Sequence, residues 1–480
     1  MNDRLRRLIP RSKRARLATA AGTLVLLLAA LALGAYIYKH DRTGSIYHPN
    51  ARFVPTPTPT LPKQPLDDFT WPLYGYSKEH TRFFPAPASL HAPFERLWVN
   101  NAHTLLEFPP VIDGEDIFQL GDNGVLRATN KTTGHTIWTR GIGHLSASTP
   151  AVVGKLLYAT VLSRPGGGNG RIWALNTSNG SIDWYRNLPS PSESSPMVDR
   201  GKVIFGTQNG TVYALNTQTG DVIWSYHAAG AVKASPTLSN GVLYFGDYSG
   251  HVQAISERTG RRLWISGSGG ALLGNGTFYS TPAADYGRIF LGNTDGRVYA
   301  YDASSGKLDW AVQTGAYVYS SPAVTNAPGL GPTIYIGSYD GSFRALNART
   351  GHVAWKFDAH GKISGSPTIV GRTVYFADLG THTTYGLGIS TGRLSFELHT
   401  GSFDPVISDG KNIYLTGLTG LYAFAPRHES GAAATRTGTS AQPRTPAPAK
   451  SSHARAAARA AAHRRASSHP HRARRSRHRS

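Results

Sequence analysis

An all-β fold, an eight-bladed β-propeller, is what this 480-residue sequence predicts, and three observations carry the expectation. The first is the stretch from Glu193 to Trp224. Its apolar runs at Ser195 to Val198, Val203 to Phe205, Thr211 to Leu215 and Val222 to Tyr226 are of strand length. Between them Asp199-Arg200-Gly201, Asn209-Gly210 and Thr219-Gly220 need or tolerate φ > 0, so the stretch reads as a four-stranded antiparallel unit. The second is recurrence: the first-strand proline falls at Pro110, Pro150, Pro196, Pro236, Pro282, Pro322, Pro367 and Pro405, eight times at spacings of 38 to 46 residues. Such a period is that of propeller blades. The third is a mismatch in the count. The last-strand aromatics Trp138, Trp184, Trp224, Trp264, Trp310, Trp355 and Phe396 number seven, and the eighth, Trp98 in Phe94 to Val99, stands in front of the first unit. An N-terminal strand is therefore expected to complete the last sheet and close the ring, which leaves only short sheet edges.

Taken in order, the chain opens on a basic segment, residues 1–16, with seven Lys/Arg against one Asp. Residues 17–38 form an uncharged apolar stretch, Leu17 to Tyr38, long enough for one transmembrane helix across about 30 Å of hydrocarbon. The basic residues before it predict a cytoplasmic N-terminus and an extracytoplasmic remainder. A cleaved signal peptide is the alternative, since Ala30-Leu31-Ala32 offers a cleavage site, although the apolar run is long for one. Residues 39–68 contain Pro49, Pro55, Pro57, Pro59, Pro62 and Pro65 and read as a polyproline-type linker. Free along residues 40 to 68, it would stand the next domain off by up to about 90 Å.

The propeller is assigned to residues 69–425. Within it, Asn216 to Trp224 resembles the ALDxxTGxxxW signature of pyrroloquinoline-quinone-type (PQQ-type) propeller repeats, and the pattern returns at Asn130 to Trp138, Asn176 to Trp184, Ser256 to Trp264, Asp302 to Trp310 and Asn347 to Trp355. Trp71 to Tyr76, followed by His80 to Phe83, resembles the lead-in segment of that family and is expected to cap the propeller. The domain is similar to the propeller lipoproteins of the bacterial outer-membrane barrel-assembly machinery. Their lipid anchor through a Cys has no counterpart here, because the chain has no Cys. The tail, residues 426–480, lacks large apolar side chains, and from residue 431 onward it carries twelve Lys/Arg and no acid. Disorder is expected there, with Arg455, Arg459, Arg464, Arg465, Arg472, Arg474, Arg475, Arg477 and Arg479 as a polyanion-binding set. A solubilising tail with no fixed partner is the alternative.

Candidate chemistry is sparse. Without Cys there are no disulfides, thiolate metal sites or cysteine nucleophiles. The glycine-rich stretches Gly166 to Gly170 and Gly267 to Gly276 lack a following Gly-Lys-Ser/Thr and read as loops rather than phosphate cradles. Strand alternation puts both on one face of the ring, the expected partner face, and puts the insert at residues 326–332 on the other. Asp122-Asn123-Gly124, Asn209-Gly210, Asp295-Gly296 and Asp340-Gly341 read as hairpin turns, not calcium loops. Trp173 is expected in the core. His453, His463, His469, His471 and His478 have no spacing that fixes a metal geometry. No catalytic, cofactor or metal site is assigned.

The function expected is a membrane-anchored, non-catalytic propeller scaffold of the cell envelope. Its propeller face would bind a protein or peptide, and its tail an anionic envelope polymer or lipid headgroups rather than nucleic acid. The resemblance keeps two alternatives open. One is a quinoprotein dehydrogenase using PQQ and Ca²⁺, otherwise not expected as cofactors, and the other is an extracytoplasmic ligand sensor.

Overall fold

Eight sheets, each built on an antiparallel four-stranded meander, are found in the computed structural model, which describes residues 23–32, 45–48, 50–56, 61, 70–268, 276–401, 403 and 406–427. Blade 3 shows the pattern: Met197–Asp199, Lys202–Gly206, Thr211–Asn216 and Val222–His227 pair in sequence order. Blades 1 to 7 begin at Val111, Ala151, Met197, Ala283 for blade 5, Ala323, Thr368 and, for blade 4, Thr237. Blade 8 consists of Val406–Ser408, Ile413–Thr416 and Gly420–Pro426, completed by Phe94–Asn101 from the front of the domain. Phe94 lies opposite Pro426 and Asn101 opposite Gly420, so the ring is closed by backbone pairing between the domain's two ends, as expected.

The repeat signature has a physical reading. The last-strand Trp of one blade donates its indole N–H to a carbonyl of the next: Trp98 to Lys131, Trp138 to Thr177, Trp184 to Thr217, Trp224 to Glu257, Trp264 to Ala303, Trp310 to Ala348 and Trp355 to Ile389, at 2.7–3.1 Å. The same ring lies over the turn glycine of that next blade. A Cβ on Gly220 would come within 2.6 Å of Trp184, and Gly220 also has φ +72°, so the Thr-Gly turn and the Trp form one joint between blades. Phe396 has no N–H to donate, and blade 7 lacks this bond.

Residues 71–84 cap one end of the axis, where the first and second strands of each blade turn. Trp71 pairs with Ile112 of blade 1, and the carbonyls of Pro72, Lys78, Glu79, Thr81 and Arg82 accept N–H groups from Val152, Leu238, Ala284, Val324 and Ile369. Six blades are thus tied to one segment, and Lys78 adds an ion pair to Asp199 of the seventh, blade 3. His80 and Arg82 are buried within the cap at φ of +52° and +54°.

Two expectations change. The described N-terminal helix covers residues 23–32, and among the described residues no helix is long and apolar enough to cross a membrane. Residues 17–22 and 33–38 of the expected span lie outside the described residues. The linker, secondly, does not stand free throughout. Ile46–Tyr47 pairs with Ala311 and Trp310 on the outer strand of blade 5, Leu308–Gln313, and Phe53 stacks on Tyr286 with ring centroids 5.3 Å apart. The Arg349 guanidinium lies over the Phe53 ring, 4.3 Å from its centroid. Composition predicted an extended chain, but an extended chain beside an unpaired strand edge gains hydrogen bonds and aromatic contact. The tail from residue 428 onward lies outside the described residues.

Candidate binding site at the mouth of the propeller

Aligning the blades on their first-strand proline shows how the axis is built. The residue just before it is Thr149, Ser195, Ser235, Thr281, Ser321 and Ser366 in blades 2 to 7. These hydroxyls form a buried belt: Ser195 Oγ accepts Thr149 N–H at 2.9 Å, Ser321 Oγ accepts Thr281 N–H at 2.9 Å, and Ser366 Oγ accepts Ser321 N–H at 3.0 Å. A short side chain carrying both donor and acceptor satisfies a crowded axis where eight blades converge. Tyr74 of the cap reaches the belt, its hydroxyl 3.2 Å from Ser366 Oγ.

Two residues earlier in the same alignment the side chains differ from blade to blade: Ala147, Glu193, Lys233, Tyr279, Tyr319 and Ser364. This ring lies toward the end of the axis opposite the cap. Glu193 and Lys233 are both buried and form an ion pair, Oε1 to Nζ 2.9 Å. Gln208 donates to the same carboxylate at 2.5 Å, and the Tyr279 hydroxyl donates to Oε2 at 3.4 Å. Lys233 also lies over the Tyr248 ring, 4.9 Å from its centroid.

From Tyr248 an arc of half-buried rings follows the mouth. Tyr248 contacts Tyr279 at 6.3 Å, Tyr279 contacts Tyr319 at 5.7 Å, and Tyr319 contacts Tyr339 at 4.9 Å between centroids. Tyr317, 53% exposed, completes it at 6.0 Å from Tyr319, and the Lys362 ammonium lies 5.6 Å over Tyr339. Asp340 fixes the loops that bear these rings. Its carboxylate accepts Gly315 N–H, Ser342 N–H and Arg344, and Tyr339 N–H bonds Tyr317 O at 2.9 Å. Burial pushes the Asp340 pKa up, but these donors outweigh it and leave it at about 2.

The glycine-rich loop at residues 166–170 joins the second and third strands of blade 2 on the mouth face, as expected; Gly267 ends the last strand of blade 4 on that face, and residues 269–275 of the second stretch lie outside the described residues. The insert at residues 326–332 extends the first hairpin of blade 6 on the capped face. Trp173 is buried in the core beside Phe118 and Leu175. Arg455, Arg459, Arg464, Arg465, Arg472, Arg474, Arg475, Arg477 and Arg479 lie outside the described residues. The tyrosine arc and the Glu193–Lys233 pair were not singled out from sequence. The signal available was the contrast between a constant hydroxyl column and a variable one two residues before it.

At the mouth the Glu193 carboxylate already holds an ammonium, and among the described residues no group of three His, Cys, Asp or Glu side chains converges. What the mouth offers is flat aromatic surface with fixed polar and cationic ends.

A closed ring of Thr-Gly/Trp-jointed blades defines a β-propeller of PQQ-like repeats. The chain belongs to the family of outer membrane protein assembly factor BamB, whose profile matches residues 95–281, 190–321 and 248–448. Comparison with curated proteins gives no match. Among solved structures it is similar to BamB from Moraxella catarrhalis, at 17% identity and TM-score 0.56, over 69% of this chain and 99% of that one. Quinohemoprotein alcohol dehydrogenase from Comamonas testosteroni is similar at 15% identity and TM-score 0.61, over 79% and 83% of the two chains. A europium-containing methanol dehydrogenase gives 13% identity and TM-score 0.63 over 74% and 98%. At these identities the likeness concerns the fold.

Proposed function

We propose that this protein is a non-catalytic scaffold of the cell envelope that uses the mouth of its propeller to bind a protein or peptide partner. The observation that carries the reading is the tyrosine arc running from Lys233 to Lys362. Tyr supplies large contact area with two rotatable side-chain bonds and a polar tip, a combination enriched where proteins are recognised. Membership of the BamB family supports a partner-binding role in envelope assembly. The apolar stretch 17–38 anchors the chain in the membrane in this reading, with the propeller outside. The cationic tail holds anionic envelope polymers or lipid headgroups by charge.

Crosslinking in intact cells tests the proposal. A partner captured by the full chain and by a chain ending at Pro426, but lost on Tyr319→Ala with Tyr339→Ala, supports it. Recovery that depends only on the tail and disappears at high salt overturns it in favour of an electrostatic envelope binder.

A further inference from the structure

The docked residues 45–48 and 50–56 run from one face of the propeller to the other. At its start, Ser45 Oγ accepts Gln313 N–H at 3.3 Å, and the Gln313 side chain donates to Gly296 O at 3.1 Å, in the turn between the second and third strands of blade 5. Ser45 is thus on the mouth rim, bonded to a residue four positions before Tyr317. The chain then descends antiparallel to the outer strand, with His48 N–H bonded to Asp309 O, and ends at the capped face. There Val54 N–H bonds Tyr286 O at 3.0 Å, and Thr56 donates to Asp285 at 2.7 Å. Phe53 is held against Tyr286 and over Arg288 and Arg349, a set of contacts that fixes the strap in one place.

We infer that this strap turns the mouth of the propeller toward the membrane, so that the partner of the tyrosine arc is a protein segment presented at the bilayer surface. The inference rests on the membrane-anchored reading of residues 17–38. Chain length then imposes the geometry. From Tyr38 to Ser45 there are seven residue steps, at most about 25 Å of fully extended chain. The tether leaves from the mouth rim at the end of the blade 5 strand that leads into the loop bearing Tyr317 and Tyr319. A propeller facing the other way would require the same tether to cross about 5–8 Å of headgroups and then the full height of blade 5, about 20 Å for a six-residue strand, which together use up or exceed its reach. Without the strap, residues 39–68 would allow either face to approach.

The absence of Cys makes the test direct. Single variants of the full chain, His360→Cys on the mouth rim and Pro328→Cys on the capped face of the same blade, are labelled with a donor dye. They are then placed in phosphatidylethanolamine–phosphatidylglycerol vesicles that carry a headgroup acceptor. Energy transfer about twofold or more stronger from position 360 than from 328 is expected for labels separated by about a strand length. Adding Phe53→Ala, which removes the strap's ring from Tyr286, reduces the difference. Equal transfer from the two positions, or stronger transfer from 328, overturns the orientation. Flotation of the same samples reads the anchoring separately: protein that does not float with the vesicles removes the membrane reading itself, whereas floating protein with equal transfer removes only the orientation.

Discussion

Glu193 and Lys233, on the connections that enter blades 3 and 4, form a buried ion pair of 2.9 Å at the mouth of the propeller. Both charges are removed from water, and each is satisfied further by neighbours, Glu193 by Gln208 and Lys233 by the face of Tyr248. A buried pair of this kind fixes geometry more than it adds net stability.

Removing one partner should therefore be worse than removing both. Glu193→Gln is expected to lower unfolding free energy by about 3 kcal/mol, because Lys233 is left buried without its counter-charge. The double variant Glu193→Gln with Lys233→Met should recover most of that loss. Denaturant titration of the three chains measures the coupling.

Trp98 is the joint that closes the ring. Its indole bonds Lys131 O at 2.9 Å, and a Cβ on Gly134 would come within 2.6 Å of its ring. Gly134→Ala, at φ +72°, should cost about 1–3 kcal/mol through both strain and the displaced ring. Hydrogen exchange should localise the loss to blades 8 and 1 rather than to blade 4.

His80 gives the cap a dependence on pH. Its ring is buried and its Nδ1 lies 2.8 Å from Thr237 Oγ1; burial first, and the neighbouring charge of Arg82 second, lower its pKa to about 3. The unfolded chain binds this proton below about pH 6.5, while the folded chain does not until about pH 3. Stability contributed by neutral His80 is thus present above about pH 6.5 and is lost as pH falls toward 3, by up to about 1.4 kcal/mol per pH unit. His80→Gln should flatten this part of a stability profile measured from pH 7 to 4.

The tail should act by charge alone. A chain ending at Pro426 is expected to lose salt-sensitive retention on anionic vesicles while keeping the same thermal midpoint. Retention unchanged by truncation would contradict the role given to Arg455 through Arg479.

Much of the fold was legible because each blade repeats the same physical solution. The Thr-Gly turn and the Trp of the preceding blade are one contact, so the signature marks a joint wherever it occurs. Trp98, standing ahead of the first blade, disclosed the closure. The lead-in residues Trp71 and Arg82 point to a cap only through family resemblance, and their carbonyls tie the blades together. The mouth was less visible for the opposite reason. Glu193, Lys233, Tyr279 and Tyr319 occupy equivalent positions with different chemistry, and only closure of the ring brings Tyr279, Tyr319 and Tyr339 into one surface. The strap was hidden by composition: Pro-rich sequence reads as spacer, while its anchors, Tyr47 and Phe53, are single aromatic residues whose partners lie more than two hundred positions away.

Site-specific photocrosslinking in intact cells tests the central claim most directly. A photoreactive residue is placed at Tyr319 in the mouth or at Thr219 on the capped face of blade 3, in a chain ending at Pro426. The account predicts one discrete protein adduct from position 319, abolished by Tyr339→Ala, and none from 219. Adducts of equal yield from both positions, or none from 319 while the untruncated chain still captures the same material, would contradict it.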